Sequence, residues 1–95
     1  MKVVWTPGAF ADLDDVLRYT GSSFPQSAAP LEQRIRATIA RLSEWPLSAK
    51  ELEGRPGVRV ATLVRFPYRI FYLVAEDYIE ILHIRHAARR MWDDE

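Results

Sequence analysis

The chain has 95 residues, of which 48% are hydrophobic and 27% charged, with a formal net charge of zero at pH 7, so we expect one soluble globular domain over residues 1–95. Because the chain has no cysteine, a disulfide framework and a thiol nucleophile are excluded, and a reducing cytoplasm is the expected location. No apolar run is long enough to cross a membrane and MKVVWTP lacks the apolar segment of a signal peptide, so we expect no membrane partner.

The N-terminal residues predict a short strand, residues 2–5, followed by a helix. Thr6 and Pro7 favour a helix start, because threonine can cap the first turn and proline lacks only an N–H that would be unpaired there. A stripe with helical spacing is formed by Ala9, Phe10, Leu13, Val16, Leu17 and Thr20. We expect Asp12, Asp14 and Asp15 on the other side, near the helix end where the macrodipole favours negative charge. The helix should end at residues 21–23.

A second helix is predicted to begin after Phe24 or Pro25. Its apolar face consists of Leu31, Ile35, Thr38, Ile39, Leu42 and Trp45, and Arg34, Arg36 and Arg41 lie off that face. Inside a helix, Pro30 would remove a hydrogen bond and cause a kink, so we expect an irregular start and regular helix only over residues 31–44. Pro46 stops the helix. Two helices joined by a short turn predict an antiparallel pair packed on a sheet.

The second half of the chain predicts three strands. Residues 47–57 are rich in Gly and Pro and are expected to form a loop, and residues 58–64 the next strand. Period-two alternation over residues 68–74 and 78–86, interrupted by turn residues, predicts two long strands at the centre of the sheet. The predicted fold is α+β with the order β-α-α-β-β-β, in which a helical hairpin packs on a twisted antiparallel sheet and the first strand covers one edge.

Basic residues are concentrated in this second half. Residues 55–92 contain seven arginines and only three acidic residues, before the three acidic residues that end the chain. Arginine suits phosphate or carboxylate partners better than lysine does, although arginines on strands can also be solvated edge residues. His86 ends a predicted central strand, where a structural hydrogen bond is the alternative to a chemical role. Because His83 is expected on the opposite face, we predict no metal site and no cofactor.

Four segments in this order resemble the RelE/ParE superfamily of bacterial toxins from type II toxin–antitoxin systems, closer to the ParE or plasmid-stabilisation branch. They are WTPGAFADLDDVLRY, ATIARLSEWP, YRIFYLV and IEILHIRHAARRMW. The resemblance implies a βααβββ domain and a cognate antitoxin that wraps around it. RelE-type members cleave mRNA on the ribosome without a metal, whereas ParE-type members poison DNA gyrase, and the fold does not choose between these activities.

The residues that the resemblance assigns to RNA cleavage are only partly present. Arg69 matches the phosphate-binding arginine of RelE-type enzymes, Arg59 falls near a basic position, and His86 could act as acid or base. However, Ala61 stands where those enzymes usually have a second lysine. Trp92 stands near their C-terminal tyrosine, and an indole has no acidic proton for this task. We therefore favour a toxin that is not a nuclease.

Three hypotheses follow. The first is a ParE-like toxin that binds DNA gyrase, and the second is a RelE-like, metal-free endoribonuclease acting on ribosome-bound mRNA through Arg59, Arg69 and His86. The third is an inactive paralogue that binds only the antitoxin. The candidate target-binding or antitoxin-binding residues are Arg65, Arg69, Arg85, Arg89, Arg90 and Trp92. We expect an antitoxin helix to lie in any apolar groove left outside the core.

Overall fold

Two helices pack on one face of a five-stranded sheet in this computed structural model, which describes residues 1–88. In chain order the elements are β1 (Lys2–Trp5), α1 (Pro7–Ser23), α2 (Pro25–Glu44), β2 (Lys50–Glu51), β3 (Val58–Thr62), β4 (Tyr68–Val74) and β5 (Tyr78–His86). Across the sheet the order is β1-β5-β4-β3-β2, so the two long strands lie inside it and β1 covers one edge, as predicted. The α+β fold with a helical hairpin on the sheet is therefore confirmed.

The sheet is mixed rather than wholly antiparallel. β1 runs parallel to β5, with Lys2 opposite Tyr78 and Trp5 opposite Ile81. Tight turns force an antiparallel arrangement on neighbouring strands, whereas the long connection through both helices leaves β1 free to pair in either direction. Residues 50–51, predicted as loop, form the short strand β2 against β3, and β3 ends two residues earlier than residue 64. A two-residue strand has no periodicity from which it could have been predicted.

One helix boundary also differs from the prediction. α1 ends at Ser23, within the predicted residues 21–23, whereas α2 is regular from Pro25 onward with Pro30 inside it. The hydrogen bond that Pro30 removes would have gone to the carbonyl of Gln26. Because Gln26 and Pro30 both lie on the exposed surface, water can solvate that carbonyl, and the proline costs too little to break the helix.

Thr6 links the start of α1 to the central strand β5. Its Oγ1 accepts a hydrogen bond from the Ala9 N–H at 3.0 Å, which is the predicted cap, and donates one to the Ile81 carbonyl at 2.9 Å. The Thr6 N–H also donates to the Ile81 carbonyl, at 3.1 Å. One residue therefore ends β1, starts α1 and fixes that start against β5.

Alternate residues of β4 face two different apolar clusters. Ile70 and Tyr72 face the helices and are fully buried, whereas Phe71 faces away from them and packs with Leu52 and Val58. The helices contribute Ala9, Leu31, Ile35, Ile39 and Leu42 to the first cluster. Because β4 is covered on both faces, its sequence is apolar almost throughout. Neither helix of residues 1–88 combines the length and apolar character that crossing a membrane requires.

Candidate functional site

Two arginines lie directly opposite each other on the open face of the sheet, which is the face turned away from the helices. Arg69 on β4 is paired with Arg85 on β5, and Thr62 on β3 is paired with Arg69. Opposed residues of neighbouring strands share a face, and like charges in such positions repel each other. The guanidinium groups diverge accordingly: Arg69 Nη1 donates to the Ala87 carbonyl at 2.9 Å, and Arg85 Nη2 lies 3.4 Å from His83 Nδ1.

Arg65 brings a third positive charge to the same end of the sheet. It is exposed in the connection between β3 and β4, where its φ of 74° lies in the left-handed region. A hydrogen bond of 3.0 Å from the Leu63 N–H to the Tyr68 carbonyl closes this connection. The arginines at this end are Arg65, Arg69 and Arg85, and we refer to them as the arginine end. The predicted residues Arg89, Arg90 and Trp92 lie outside the described residues 1–88.

Arg59 lies on the opposite face of the sheet, toward the helices. It is paired with Tyr72, and its Nη1 donates to the Ala49 carbonyl at 2.7 Å and lies 3.4 Å from the Leu47 carbonyl. The Tyr72 hydroxyl donates to the Pro46 carbonyl at 2.7 Å. Burial raises the pKa of the Tyr72 phenol above 10.0, against the lowering effects of a backbone hydrogen bond and of the Arg59 charge. Arg59 and Tyr72 thus hold the segment that leads from α2 into β2.

His86 also lies on the helix side, at the end of β5. It is paired with Tyr68, and the two rings are 5.2 Å apart at an angle of 78°. Its Nδ1 accepts a hydrogen bond from the Ala88 N–H at 3.0 Å, so a neutral His86 carries its proton on Nε2. This ring makes the structural backbone contact that was the alternative to a chemical role.

The three residues considered for RNA cleavage are therefore not brought together. Arg69 is on the open face, whereas Arg59 and His86 are on the helix face. Along the strand direction, Arg59 and His86 are separated by the four residue steps from Tyr68 to Tyr72, or about 13 Å at the usual rise of a strand. A catalytic acid or base must come within hydrogen-bonding distance of the reacting atoms, which this arrangement does not provide for the three together.

Asp12 makes a contact that the helical pattern did not predict. Instead of lying on the side away from the core, its Oδ2 accepts from the Ile84 N–H at 3.0 Å and contacts His83 Nδ1 at 3.1 Å. The pairing of β1 with β5 ends at Ile81, so β1 provides no acceptor for the Ile84 N–H. The Asp12 carboxylate of α1 accepts that hydrogen bond instead. Because a carboxylate only accepts, this contact is a hydrogen bond in the tautomer of His83 that carries a proton on Nδ1. No group of three His, Cys, Asp or Glu side chains in residues 1–88 could hold a metal ion.

A groove of about 390 Å³ separates α2 from the outer edge of β3. Trp45, predicted to lie on the apolar core face of α2, instead borders this groove with 63% of its surface exposed. The helix ends at Glu44, and Trp45 has the non-helical φ of −129°, which takes its side chain out of the apolar stripe. Val64, on the other side of the groove, is 56% exposed. The spacing of residues along α2 gave no sign of this surface.

Comparisons with known proteins agree on one family. A family sequence model described as "ParE toxin of type II toxin-antitoxin system, parDE" matches residues 3–91. Toxin RelE2 of Caulobacter vibrioides is 36% identical over 92 residues, covering 93% of this chain and 97% of that protein. The chromosomal ParDE TA system from P. aeruginosa contains a chain that is 31% identical and superposes with a TM-score of 0.77, covering 90% of this chain and 95% of that one. The isolated E. coli RelE toxin has a TM-score of 0.67, covering 95% of this chain and 87% of that one; at 18% identity it shows likeness of fold alone.

Proposed function

Since the chain belongs to the ParE toxin family of type II toxin–antitoxin systems, we propose that it arrests growth by binding DNA gyrase in the cytoplasm and that a cognate antitoxin neutralises it. The chain is a toxin of such a system, as its resemblance to the RelE/ParE superfamily implied. The choice of gyrase rests on the ParE branch of that resemblance. The antitoxin rests on the same membership and on the ParDE system to which the chain is similar.

The main observation against RNA cleavage is that Arg59, Arg69 and His86 lie apart in the structure. Arg59 is already engaged with backbone carbonyls at the α2–β2 connection, and His86 with a backbone N–H. Of these three residues only Arg69 lies on the open face, and Ala61 supplies no second cation. Metal-free cleavage needs an acid and a base beside the cations around one phosphate, and Arg69 with Arg85 opposite it supplies positive charge only, which is better suited to binding an anionic partner than to catalysis.

We assign target binding to the arginine end. Three guanidinium groups on one end of the sheet can pair with carboxylates or phosphates in the bidentate geometry that arginine favours. Because Arg69 and Arg85 are opposed on neighbouring strands, one anionic group of a partner can contact both side chains. Arg89, Arg90 and Trp92, which lie outside the described residues, stay candidates for target binding from the sequence alone.

RelE-like cleavage of ribosome-bound mRNA remains the second candidate, because the relative that is 36% identical bears the name RelE2. Assays on the purified toxin distinguish gyrase binding from mRNA cleavage. We expect inhibition of supercoiling by purified gyrase, or accumulation of cleaved DNA, with no cleavage of mRNA on programmed ribosomes. Arg69→Ala should weaken the gyrase effect at least tenfold, and Arg36→Ala, on the exposed face of α2, should not. Ribosome-dependent cleavage without a gyrase effect would overturn the proposal, and no response in either assay would favour an inactive paralogue.

A further inference from the structure

A pocket of about 310 Å³ lies between α1 and the end of β5, next to the arginine end. Arg85 belongs to both surfaces, because its side chain lines this pocket as well. On the helix side, the lining residues share one side of α1 and are Asp12, Asp15, Val16 and Tyr19. On the sheet side, they are Tyr68, Ile84, Arg85 and His86. A partner that contacts Arg85 is therefore within reach of this pocket, which we call the α1–β5 pocket.

The edge of β5 beside the α1–β5 pocket has no neighbouring strand within residues 1–88, because β1 pairs with β5 only as far as Ile81. The Ile84 N–H points away from β4 and donates to Asp12 Oδ2 at 3.0 Å. Backbone groups of every second strand residue point to the same side, so those of His86 also point outward, beside the pocket. An extended chain can pair with such an edge.

Two exposed aromatic rings lie near the end of α1. Tyr19 lines the α1–β5 pocket, and both Tyr19 and Phe24 are 58% exposed. Their rings pack edge to face, with centroids 6.4 Å apart at an angle of 70°, so each ring limits the motion of the other. Tyrosine and arginine are, with tryptophan, the residue types that most often contribute the largest binding energies in protein interfaces. A pocket that is lined by Tyr19 and Arg85 together is therefore typical of a protein-binding surface.

The α1 side of the pocket is acidic. Asp12 contacts His83, and Asp14, which lies outside the pocket, pairs with Arg18. In contrast, Asp15 lines the pocket and forms no ion pair within residues 1–88. A carboxylate and a tyrosine ring both attract a cation, and the carboxylate repels a phosphate. The charge of this wall therefore favours a basic side chain of a protein over the backbone of a nucleic acid.

We propose that the α1–β5 pocket takes a lysine or arginine side chain from an extended segment of the toxin's protein target. The segment pairs with the β5 edge at His86, covers the ring of Tyr19 and places its basic group against Asp15. An acidic group of the same target lies on Arg69 and Arg85. Two neighbouring contacts of opposite charge fix the direction in which the segment binds. This inference rests on the proposed function in requiring a protein target, and it does not require that target to be gyrase.

Growth arrest tests the pocket without assuming which protein is the target. The full chain and its variants are expressed from a titratable promoter, and immunoblotting measures the amount of toxin that halves the growth rate. Tyr19→Ala removes the exposed ring and Asp15→Lys reverses the charge of the acidic wall, so each should raise that amount at least tenfold. Tyr19→Phe and Asp15→Glu keep the ring and the charge, respectively, and should arrest growth like the wild type.

Phe10→Ala and Asp14→Lys are the matched controls. Phe10 is 57% exposed and Asp14 is exposed on the same helix, and neither residue lines the pocket. Circular dichroism of the purified variants confirms that each is folded. Wild-type growth arrest by folded Tyr19→Ala or Asp15→Lys, or an equal loss in the controls, would overturn the inference. A wild-type chain that does not arrest growth would overturn the proposed function together with it.

Supercoiling assays with purified gyrase separate this inference from the proposed target. Inhibition that Tyr19→Ala and Asp15→Lys each weaken at least tenfold would support gyrase as the protein that fills the pocket. If both variants lose growth arrest while the wild-type chain leaves gyrase unaffected, the pocket is supported and only the choice of gyrase is overturned. Cleavage of ribosome-bound mRNA at the wild-type rate by both variants would overturn the inference, because the toxin would then act without the pocket.

Discussion

Replacing Arg59 by methionine should destabilise the fold by about 2 kcal/mol without removing the activity of the folded toxin. Methionine keeps much of the apolar stem and loses the guanidinium that donates to the Ala49 carbonyl at 2.7 Å. A hydrogen bond from a charged donor contributes about 1.5–3 kcal/mol, and the lower half of that range suits a half-buried group. The second contact, 3.4 Å to the Leu47 carbonyl, is too long to add much.

Thermal and urea unfolding, followed by circular dichroism, measure this loss. For a domain of this size, 2 kcal/mol corresponds to a fall in Tm of about 8–16 °C. Arg36→Met is the matched control, because it removes an exposed i,i+4 pair with Glu32 that is worth at most about 0.5 kcal/mol. A wild-type unfolding curve for Arg59→Met, or a loss of toxicity in the fully folded variant, would contradict this structural role of Arg59.

Three further substitutions test other parts of the structure. Burial raises the pKa of the Tyr72 phenol above 10.0, so its contribution to the free energy of unfolding is complete below pH 10 and is lost as the pH rises through the folded-state pKa. Tyr72→Phe should therefore flatten the fall in stability above pH 10, which urea unfolding at a series of pH values measures. A dependence of stability on pH equal to that of the wild type would contradict this. Asp12→Ala removes the acceptor for the Ile84 N–H and the partner of His83, and should cost about 1–3 kcal/mol; Ile84 amide exchange should accelerate, and wild-type exchange would argue against the contact. Arg69→Ala removes one hydrogen bond, at a cost of about 1 kcal/mol, but should weaken gyrase inhibition at least tenfold; unchanged inhibition would exclude Arg69 from the target-binding surface.

The sequence predicted those helices and strands whose signals lie within one short segment. Thr6 and Pro7 predict the start of α1 because of their residue types, and the predicted capping hydrogen bond from the Ala9 N–H to Thr6 Oγ1 is present at 3.0 Å. The period-two pattern of β4 and β5 gave both their bounds and their central position. In contrast, the parallel pairing of β1 with β5 depends on residues far apart in the chain, which no local pattern encodes.

The arrangement of the candidate site could not be predicted for the same reason. Asp12 is bound to a backbone N–H that lies 72 residues away, so its spacing within α1 did not reveal its orientation. The resemblance placed Arg69 at, and Arg59 near, a position of the same nuclease site, yet cross-strand register puts the two on opposite faces of the sheet. A sequence resemblance predicts which type of residue stands at a position. Whether the side chains come close together in space depends on strand register and on loops, which the resemblance does not specify.

The groove beside α2 was missed because its residues each have an ordinary local explanation. Trp45 continues the apolar spacing of α2, and only the end of the helix at Glu44 turns it outward. Arg34 and Arg41 lie off the apolar stripe, as solvated arginines do, and the free edge of β3 depends on where the two-residue strand β2 stops. Together these features form a surface that becomes visible only in three dimensions.

We propose that this toxin acts by binding through the arginine end of its sheet and not by cutting RNA. The most direct measurement is the length of mRNA recovered from programmed ribosomes after incubation with purified toxin, with gyrase supercoiling measured on the same preparation. We predict intact mRNA together with inhibited supercoiling. Site-specific cleavage of the mRNA that Arg59→Met, Arg69→Ala or His86→Ala each abolishes in the folded protein would contradict the account.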